Sequence, residues 1–556
     1  MARRRLFAVL LALSVALVPL RTVAQGQAAA PVALAALFPA DTVGYLEIQL
    51  RPGDDQGPRL ARLLGLLTDL APDEEQWAWV RLAPRVARAL ALGAWARGDA
   101  VGVVGALAAD DPGAVLSFVA RASEDAVPDE PYGDVAIVRM GRNGGLYAAA
   151  VGSYLLAAND RAALTATVDR VRAGASAGPG LGGATGYRAA TGRLPASRFV
   201  TGYLDGPGFA GWLASLTPAE GAPPPGAAPA PAAGAPGRQP PPGAAGMLPG
   251  GATGLASFGE LMARGLANGV PDLPDELDRL RAGSLALSVT AAPEGLRLVV
   301  DTPVAWQATQ QPASTEGALH FVPPGALAAG AGTNFAAALR PIVEGPSTIH
   351  EMLPPGVDWQ ADLLDWMDGE FGLALLPPSG GEGTAAVLPQ VVALFEVRDP
   401  PSVEGKLRDL VRAVESAADL PFGEPVEERQ GDVVVRRLPL SEDLNITWGY
   451  LGRWLFITTG TATTLVQGSA AGGLPASPTY SRLARALPSP NVGVYYADLA
   501  GLVSWLGGVM GDRFPLNGEG AERWRDLVGL LGGVAGTTGL PRDGWIESAA
   551  VLELHW

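Results

Sequence analysis

The stretch Tyr480–Leu506 reads YSRLARALPSPNVGVYYADLAGLVSWL, and Tyr187–Leu213 reads YRAATGRLPASRFVTGYLDGPGFAGWL. The two align without a gap at a constant offset of 293 residues, and the matches include the rarer Tyr, Trp, Pro and Asp. Chance matches would fall on the abundant Ala, Gly and Leu. The pattern predicts an internal duplication. The matched pairs are Tyr187 with Tyr480, Leu194-Pro195 with Leu487-Pro488, Tyr203 with Tyr496, Asp205 with Asp498, and Trp212-Leu213 with Trp505-Leu506.

The same order of signals continues on the N-terminal side of both stretches. Asp111-Pro112 and Asp399-Pro400 each follow an apolar strand and precede a helix, which Asp can cap while Pro occupies the first position. Glycine-led turns come next, and a weaker echo of Pro-led strands suggests that each half consists of two related pieces. The turns are Gly133-Asp134-Val135 with Gly431-Asp432-Val433, and Gly152-Ser153 with Gly452-Arg453; the Pro-led strands follow Pro39, Pro195, Pro323 and Pro488.

The hydrophobic patterns place strands beside strands as often as beside helices. Alternating or apolar runs predict strands at 134–140, 145–151, 433–438 and 454–458, and the C-terminal residues 550–556 alternate like a closing strand. Helical spacing predicts helices over Leu60–Leu70, after Pro400 and around Leu363 and Trp366. The expected fold is α+β, a tandem duplication of a mixed unit with largely antiparallel sheets and two pseudo-equivalent lobes.

The domain boundaries follow from these patterns and from shifts in composition. We predict a signal peptide at 1–24, a first copy at 32–304, a polar linker at 305–318 and a second copy at 319–556. Residues 218–251 are almost entirely Pro, Ala and Gly, which cannot bury enough apolar surface to offset the entropy of ordering. This segment is predicted to be a disordered insertion within the first copy.

The N-terminus has the three-part pattern of a secretory signal peptide. Arg3 to Arg5 precede an uncharged apolar run, Leu6–Leu20, and small residues around Thr22–Ala24 suit a signal peptidase. The alternative is an uncleaved anchor, although the run is fifteen residues and a spanning helix needs about 20. The absence of cysteine excludes lipid attachment through an acylated cysteine, disulfides and thiolate zinc sites. The expected location is periplasmic, extracellular or cell-envelope associated.

The charge argues against nucleic acid as a partner. The formal net charge is −16, and removal of Arg3, Arg4, Arg5 and Arg21 with the signal peptide makes it −20. Such a surface repels phosphate backbones and anionic lipid. Contact with a membrane is therefore expected only through an uncleaved signal segment.

The motifs associated with catalysis occur here in the wrong context. Gly174–Gly178 fits a nucleophile elbow, but it follows a predicted helix, whereas the motif needs a strand, a turn and a helix. Gly178, Gly180 and Gly183 fit a lone GxGxxG, again after a helix. The three histidines are in no recognisable pairing. They are His320, His350 and His555.

Two further clusters admit a functional and a structural interpretation. Asp362, Asp365, Asp368 and Glu370 offer oxygens for calcium, but their spacing matches no EF-hand, and a solvated acidic helix face is favoured. The aromatic residues Trp448, Tyr450 and Trp454 suit a sugar-binding platform, whereas pairing across adjacent strands is favoured. No catalytic, cofactor-binding or metal-binding residue is predicted.

Two short stretches resemble a known family. Leu37–Leu46, LFPADTVGYL, follows directly on the signal peptide, and Tyr480–Asp498 contains the matched Leu-Pro and Tyr-Ala-Asp residues. Both are similar to an uncharacterised family of exported bacterial proteins, domain of unknown function 3352. The strand after Pro323 departs from this pattern, because no aromatic residue follows where Tyr45 predicts one. The resemblance implies export and supplies no site residues.

The sequence leaves three functional hypotheses. The first is an exported, non-catalytic scaffold or binding protein of the cell envelope. The second is an envelope hydrolase, which predicts two acidic side chains about 5 to 10 Å apart in a cleft. The third is a carrier of an apolar ligand, which predicts a cavity lined by Leu, Val and Trp.

Overall fold

The structure is a computed structural model with 20 described strands, and the chain divides into two compact units. One unit contains residues 1–291 and 301–306, and the other contains 292–300 and 307–556. The predicted signal peptide 1–24 and insertion 218–251 lie outside the described residues, as does part of the predicted linker 305–318. The described residues are 34–52, 56–62, 87–97, 100–123, 125–141, 145–174, 178, 180–216, 278, 280–306, 314, 316–336, 358–378, 388–418, 424–440, 445–510 and 528–555.

The first unit is an antiparallel sheet with helices. In space its strands run β9-β8-β1-β2-β3-β7-β6-β5-β4. Its elements, in chain order, are β1 (Gly44–Gln49), β2 (Ala87–Arg97), β3 (Ala100–Ala109), α1 (Pro112–Ala122), β4 (Val127–Pro128), β5 (Ile137–Met140), β6 (Leu146–Val151), β7 (Tyr154–Ala158), α2 (Arg161–Ala173), α3 (Gly180–Gly183), α4 (Thr185–Thr191), β8 (Val200–Leu204), α5 (Gly206–Leu216) and β9 (Leu285–Ala292). Strand β10 (Gly295–Pro303) is divided between the two units.

Helix α1 begins where the sequence predicts. The Asp111 carboxylate accepts a hydrogen bond from the backbone N–H of Ala114 at 2.9 Å, and Pro112 occupies the first turn. Val115 and Val119 on its apolar face are 1% exposed and pack into a cluster with Leu155 of β7. The N-terminal cap and the buried apolar face therefore both stabilise a helix over these residues.

A row of aromatic rings joins Phe38, which precedes β1, to Tyr45 of β1, Tyr187 of α4 and Tyr203 of β8. Phe38 is fully buried and lies over Gly93 of β2, where an added Cβ would be 2.2 Å from the Phe38 ring. The ring centres of Phe38 and Tyr45 are 5.2 Å apart, those of Tyr45 and Tyr187 5.7 Å, and those of Tyr187 and Tyr203 5.2 Å, all edge to face. Such pairs stabilise beyond their buried area.

The second unit is also an antiparallel sheet with helices. Its strands run β20-β19-β18-β11-β12-β13-β17-β16-β15-β14. Its elements, in chain order, are β11 (Ala328–Thr333), β12 (Glu370–Leu376), β13 (Gln390–Glu396), α6 (Pro400–Ala418), β14 (Val426–Gln430), β15 (Val433–Pro439), β16 (Asn445–Leu451), β17 (Trp454–Thr458), α7 (Ala462–Ala470), α8 (Pro478–Ala484), β18 (Asn491–Asp498), α9 (Leu499–Met510), β19 (Leu531–Gly539) and β20 (Trp545–Leu554).

The core of the second unit lies on both faces of its sheet. Trp454 and Phe456 of β17 belong to one buried cluster, and Leu455 between them belongs to another. Because neighbouring residues of a strand point to opposite faces, both faces are covered near this strand.

The sheet hairpins turn at the glycines that the sequence singles out. Gly152 joins β6 to β7 with φ 58°, and Gly452 joins β16 to β17 with φ 65°. A two-residue turn with positive φ at its first central position suits the twist of a hairpin and favours glycine there. The mixed α+β fold with antiparallel strands is confirmed.

The segment around Leu363 and Trp366 differs from the predicted regular helix. It forms a π-helical turn, Trp359–Leu363, and a 3₁₀ turn, Leu364–Trp366. The Asp358 carboxylate accepts from the N–H of Ala361 at 3.1 Å, and that of Asp362 accepts from the N–H of Asp358 at 2.8 Å. These bonds satisfy backbone amides at the start of the turn, which have no partner within it. In the described part of the chain, no helix has the length and apolarity to cross a membrane.

Candidate functional site

A groove of about 550 Å³ opens in the first unit, where β6 turns into β7. This volume is within the range of small-molecule sites, about 300 to 1,000 Å³. Four segments contribute its walls, so that helices and strands position the lining. The lining residues are Leu116 of α1, Asp134, Val135 and Ala136 before β5, Ala150, Val151 and Gly152 at the end of β6, and Val171 and Arg172 in the last turn of α2.

The walls of the groove combine apolar side chains with polar surface. Leu116, Val135 and Val151 are 9%, 7% and 8% exposed, so their side chains are held by the core behind them. Ala150 and Val171 are half-buried, and Ala136 is exposed. The lining contains one acid and one base and no hydroxyl or imidazole side chain. The groove thus suits binding of an apolar group, and its lining lacks a nucleophile with an adjacent base.

An ion pair marks the polar edge of the groove. Arg172 Nη2 donates to the Asp134 carboxylate and, at 3.4 Å, to the carbonyl oxygen of Tyr132. The Arg172 guanidinium also lies 5.8 Å from the centre of the Tyr132 ring, a cation–π arrangement. Tyr132 in turn donates its hydroxyl proton to Asp169 at 2.8 Å, a bond that raises the pKa of Tyr132. Tyr132 therefore links the loop before β5 to helix α2.

A second polar cluster is buried inside the first unit. Glu47 of β1 is 8% exposed and accepts hydrogen bonds from the Tyr45 hydroxyl and from Gln49 Nε2. Burial raises the pKa of Glu47 and of Tyr45, and it raises that of Tyr187 to about 12. The side chains that shift the Glu47 pKa are Tyr45, Gln49 and Arg198, none of which is a second acid.

The glycine motifs follow helix α2, and Gly180 and Gly183 lie in the short helix α3. Gly174 caps its C-terminus with φ 49°, and residues 175–177, which include Ser176, lie outside the described residues. Gly180 has φ 54° and lies against the backbone of Ala36, whose carbonyl oxygen would be 2.5 Å from an added Cβ. The GxGxxG pattern therefore reflects close packing of two backbone segments after a helix.

The histidines occupy separate places. His320 ends a 3₁₀ turn, Gly317–His320, and its backbone lies close to Gly473. The backbone N–H of His555 donates to the carbonyl oxygen of Leu530 at 2.8 Å. His350 lies outside the described residues.

The four acidic residues near β12 each have a partner of their own. Asp362 caps a local turn, Asp365 accepts from Gln360 Nε2 at 2.5 Å, and Asp368 pairs with Arg398 at 2.8 Å. Glu370 opens β12 instead of ending a helix, is 6% exposed, and accepts from the Ser314 hydroxyl at 2.6 Å. The structure does not bring them together as one acidic helix face.

The three aromatic residues form neither a platform nor a cross-strand pair. Trp448 is 3% exposed and donates Nε1–H to Glu404 at 3.3 Å, while Tyr450 donates to the carbonyl oxygen of Pro400 at 3.1 Å. Trp454 belongs to a different core cluster, where its ring centre is 5.7 Å from that of Phe321. The predicted pairing was wrong because Trp448 lies opposite Ile457, and Trp454 opposite Leu451.

Arg172 was not singled out by the sequence, and Asp134 was noticed only as part of a repeated turn. The two residues are 38 positions apart, so no local spacing relates them. The available signal was the pair of arginines in the last turn of α2, Arg170 and Arg172, which is also common where arginine only stabilises a helix C-terminus.

Comparison with known proteins finds a family match over part of the chain and no activity. Residues 265–507 match the family described as "Protein of unknown function (DUF3352)". The resemblance that the sequence predicted is confirmed for this stretch, which includes Tyr480–Asp498; Leu37–Leu46 lies outside it. No curated protein matches the chain.

Solved structures of the protein TP0453 are distant neighbours. Crystal form III is 9% identical, covers 49% of this chain and 79% of its own, and has a TM-score of 0.27. Crystal form IV is 9% identical over 49% and 80% with the same TM-score. Crystal form I is 11% identical over 43% and 79%, with a TM-score of 0.23. At these scores the similarity carries no argument about fold or function.

Proposed function

We propose that this protein is an exported, non-catalytic binding protein of the cell envelope, and that the groove beside α2 holds a small amphipathic molecule. The observation that carries this proposal is a groove of about 550 Å³ with apolar walls and a single ion pair at its edge. Burial of apolar surface contributes roughly 25 cal/mol per Å², so such walls favour a hydrocarbon group.

The position of the groove suits binding without large rearrangement. Leu116 and Val171 belong to helices, and Val151 ends a strand, so its apolar walls are mostly carried by regular elements. Sites built on helices and strands keep their geometry better than sites built on loops.

The proposal includes the origin of the two units by duplication. The two sheets have corresponding strand orders, with β1, β2 and β3 of the first in the places of β11, β12 and β13 of the second. In both, a helix follows the third of these strands and precedes a four-strand meander whose last strand pairs with that third strand. The repeated sequence signals fall on matching elements: Tyr187 and Tyr480 on short helices, and Tyr203 and Tyr496 on the strands that follow them.

Export is supported by the N-terminal pattern of arginines, apolar run and small residues. We expect the mature protein recovered from the envelope to begin near Gln25. Edman sequencing or top-down mass spectrometry measures the first residue directly. Recovery of a chain that begins at Met1 would show that the N-terminal segment is kept as an anchor and is not cleaved.

The binding proposal is tested with N-phenyl-1-naphthylamine, a neutral amphipathic dye whose fluorescence increases in apolar sites. Ala136 lines the groove and is exposed, so Ala136→Trp fills the groove without disturbing the core. We expect this variant to weaken dye binding about tenfold or more, which corresponds to the loss of about 1.4 kcal/mol of binding free energy.

The matched control is Ala189→Trp, because Ala189 is an exposed alanine of α4 in the same unit and does not line the groove. It should bind dye as the unchanged protein does. Equal binding by both variants would place the dye elsewhere and contradict the proposal. Loss of binding in both would indicate a general effect of the added tryptophan and would also count against the groove.

A further inference from the structure

We infer that the groove selects amphiphiles with an anionic group, which Arg172 binds in place of Asp134. This inference rests on the proposed function, since it specifies the class of ligand for the same groove. It follows from how Arg172 is held, which of its donors are in use, and how exposed its present partner is.

Arg172 is positioned independently of Asp134. Its guanidinium lies against the Gly133 backbone, where an added Cβ would be 3.3 Å from Nη1, and near the Tyr132 ring. Its Nη2 donates to the Tyr132 carbonyl oxygen. Tyr132 is itself anchored to α2 through Asp169. Removal of Asp134 therefore leaves these other contacts of the guanidinium intact.

Some N–H donors of the Arg172 guanidinium have no acceptor among the described residues. Both hydrogen bonds that Arg172 makes within the described residues use Nη2, so no described residue accepts from Nε or Nη1. Arginine presents its N–H groups in a planar fork that suits two oxygens of a carboxylate or phosphate. An anionic ligand can thus engage Arg172 through two donors.

Asp134 competes only weakly with an anionic ligand for Arg172. Its side chain is 90% exposed, and exposed ion pairs contribute little to stability because water and salt screen them. A ligand whose hydrocarbon group is already buried against Val151 and Val171 presents its anion at high local concentration. Arg172 then exchanges the solvent-exposed carboxylate of Asp134 for the anionic group of the ligand, which is more enclosed by the groove.

The experiment is isothermal titration calorimetry of the full chain with decanoate, decyl phosphate and decanol. We expect both anions to bind about tenfold or more tightly than decanol, as hydrogen bonds to charged groups predict. Arg172→Gln should remove this preference and leave decanol binding unchanged. Asp134→Asn should tighten binding of the anions several-fold, an effect opposite in sign that loss of folding cannot produce.

The matched control is Arg161→Gln, because Arg161 lies on the same helix, is 36% exposed against 34% for Arg172, and also pairs with acids. It should behave as the unchanged protein. Tighter binding of decanoate or of decyl phosphate assigns the anion as carboxylate or phosphate, and both support the inference. Equal affinity for all three compounds overturns it while the proposed function stands, whereas binding of none of them overturns the proposed function itself.

Discussion

The close contact between Phe38 and Gly93 predicts a strong energetic coupling between the two positions. Phe38→Ala removes a fully buried ring and should destabilise the first unit by about 3–5 kcal/mol. Gly93→Ala adds a Cβ that would lie 2.2 Å from the Phe38 ring, and overpacking of this kind costs about 1–3 kcal/mol. The three nearest atoms to that Cβ all belong to Phe38. In the double variant the clash is gone, so it should be no less stable than Phe38→Ala alone.

The assay is hydrogen–deuterium exchange of the full chain, followed on peptides that cover β2. This readout gives the free energy of opening of the first unit without assuming that the unit folds alone. The coupling in the double-mutant cycle should be about 1–3 kcal/mol in the direction of rescue. Additive effects, or a Gly93→Ala variant as stable as the unchanged protein, would refute the packing of Phe38 over Gly93 described above.

Three further predictions follow from single residues. Burial raises the pKa of Glu47 above its ordinary value of 4.5, so the contribution of Glu47 to stability is present below that pH and is lost as pH rises through the folded pKa. Glu47→Gln should therefore gain stability relative to the unchanged protein between pH 4 and 8. A difference in urea midpoints that does not depend on pH would contradict this. Asp111→Ala removes the cap of α1 and should cost about 0.5–2 kcal/mol, measured by exchange in α1 peptides against the exposed Ala114→Ser as control. Gly152→Ala should cost about 1–3 kcal/mol because its φ is 58°, whereas Gly211→Ala, in a helix with open space around it, should not destabilise; equal thermal midpoints for the two variants would argue against the turn.

Much of the secondary structure could be predicted because its causes are local. The strand at residues 433–438 and the cap at Asp111 depend on neighbours in sequence, and both are found in the structure. The buried residues of that strand, Val435 and Leu438, are three positions apart and do not alternate. The segment around Leu363 could not be predicted in the same way, since apolar positions at helical spacing do not reveal that the backbone divides into a π-helical turn and a 3₁₀ turn.

The groove could not be predicted because its causes are not local. Arg172 meets Asp134 only after β5, β6 and β7 have paired and α2 has packed on them. The buried Glu47 shows the same limit, because apolar alternation along β1 would turn Leu46 and Ile48 inward, whereas Tyr45 and Glu47 are the buried residues of this strand. The carboxylate is satisfied there by Tyr45 and Gln49. Side-chain chemistry that depends on strand order requires the fold first.

The difference in length between two corresponding helices has a consequence for stoichiometry. Helix α2 has 13 residues, and Val171 and Arg172, which line the groove, are in its last turn. Helix α7, in the same place in the order of the second unit, has 9 residues and ends before an equivalent turn. Although the chain contains two units of like strand order, ligand titrations of the groove should saturate at one molecule per chain.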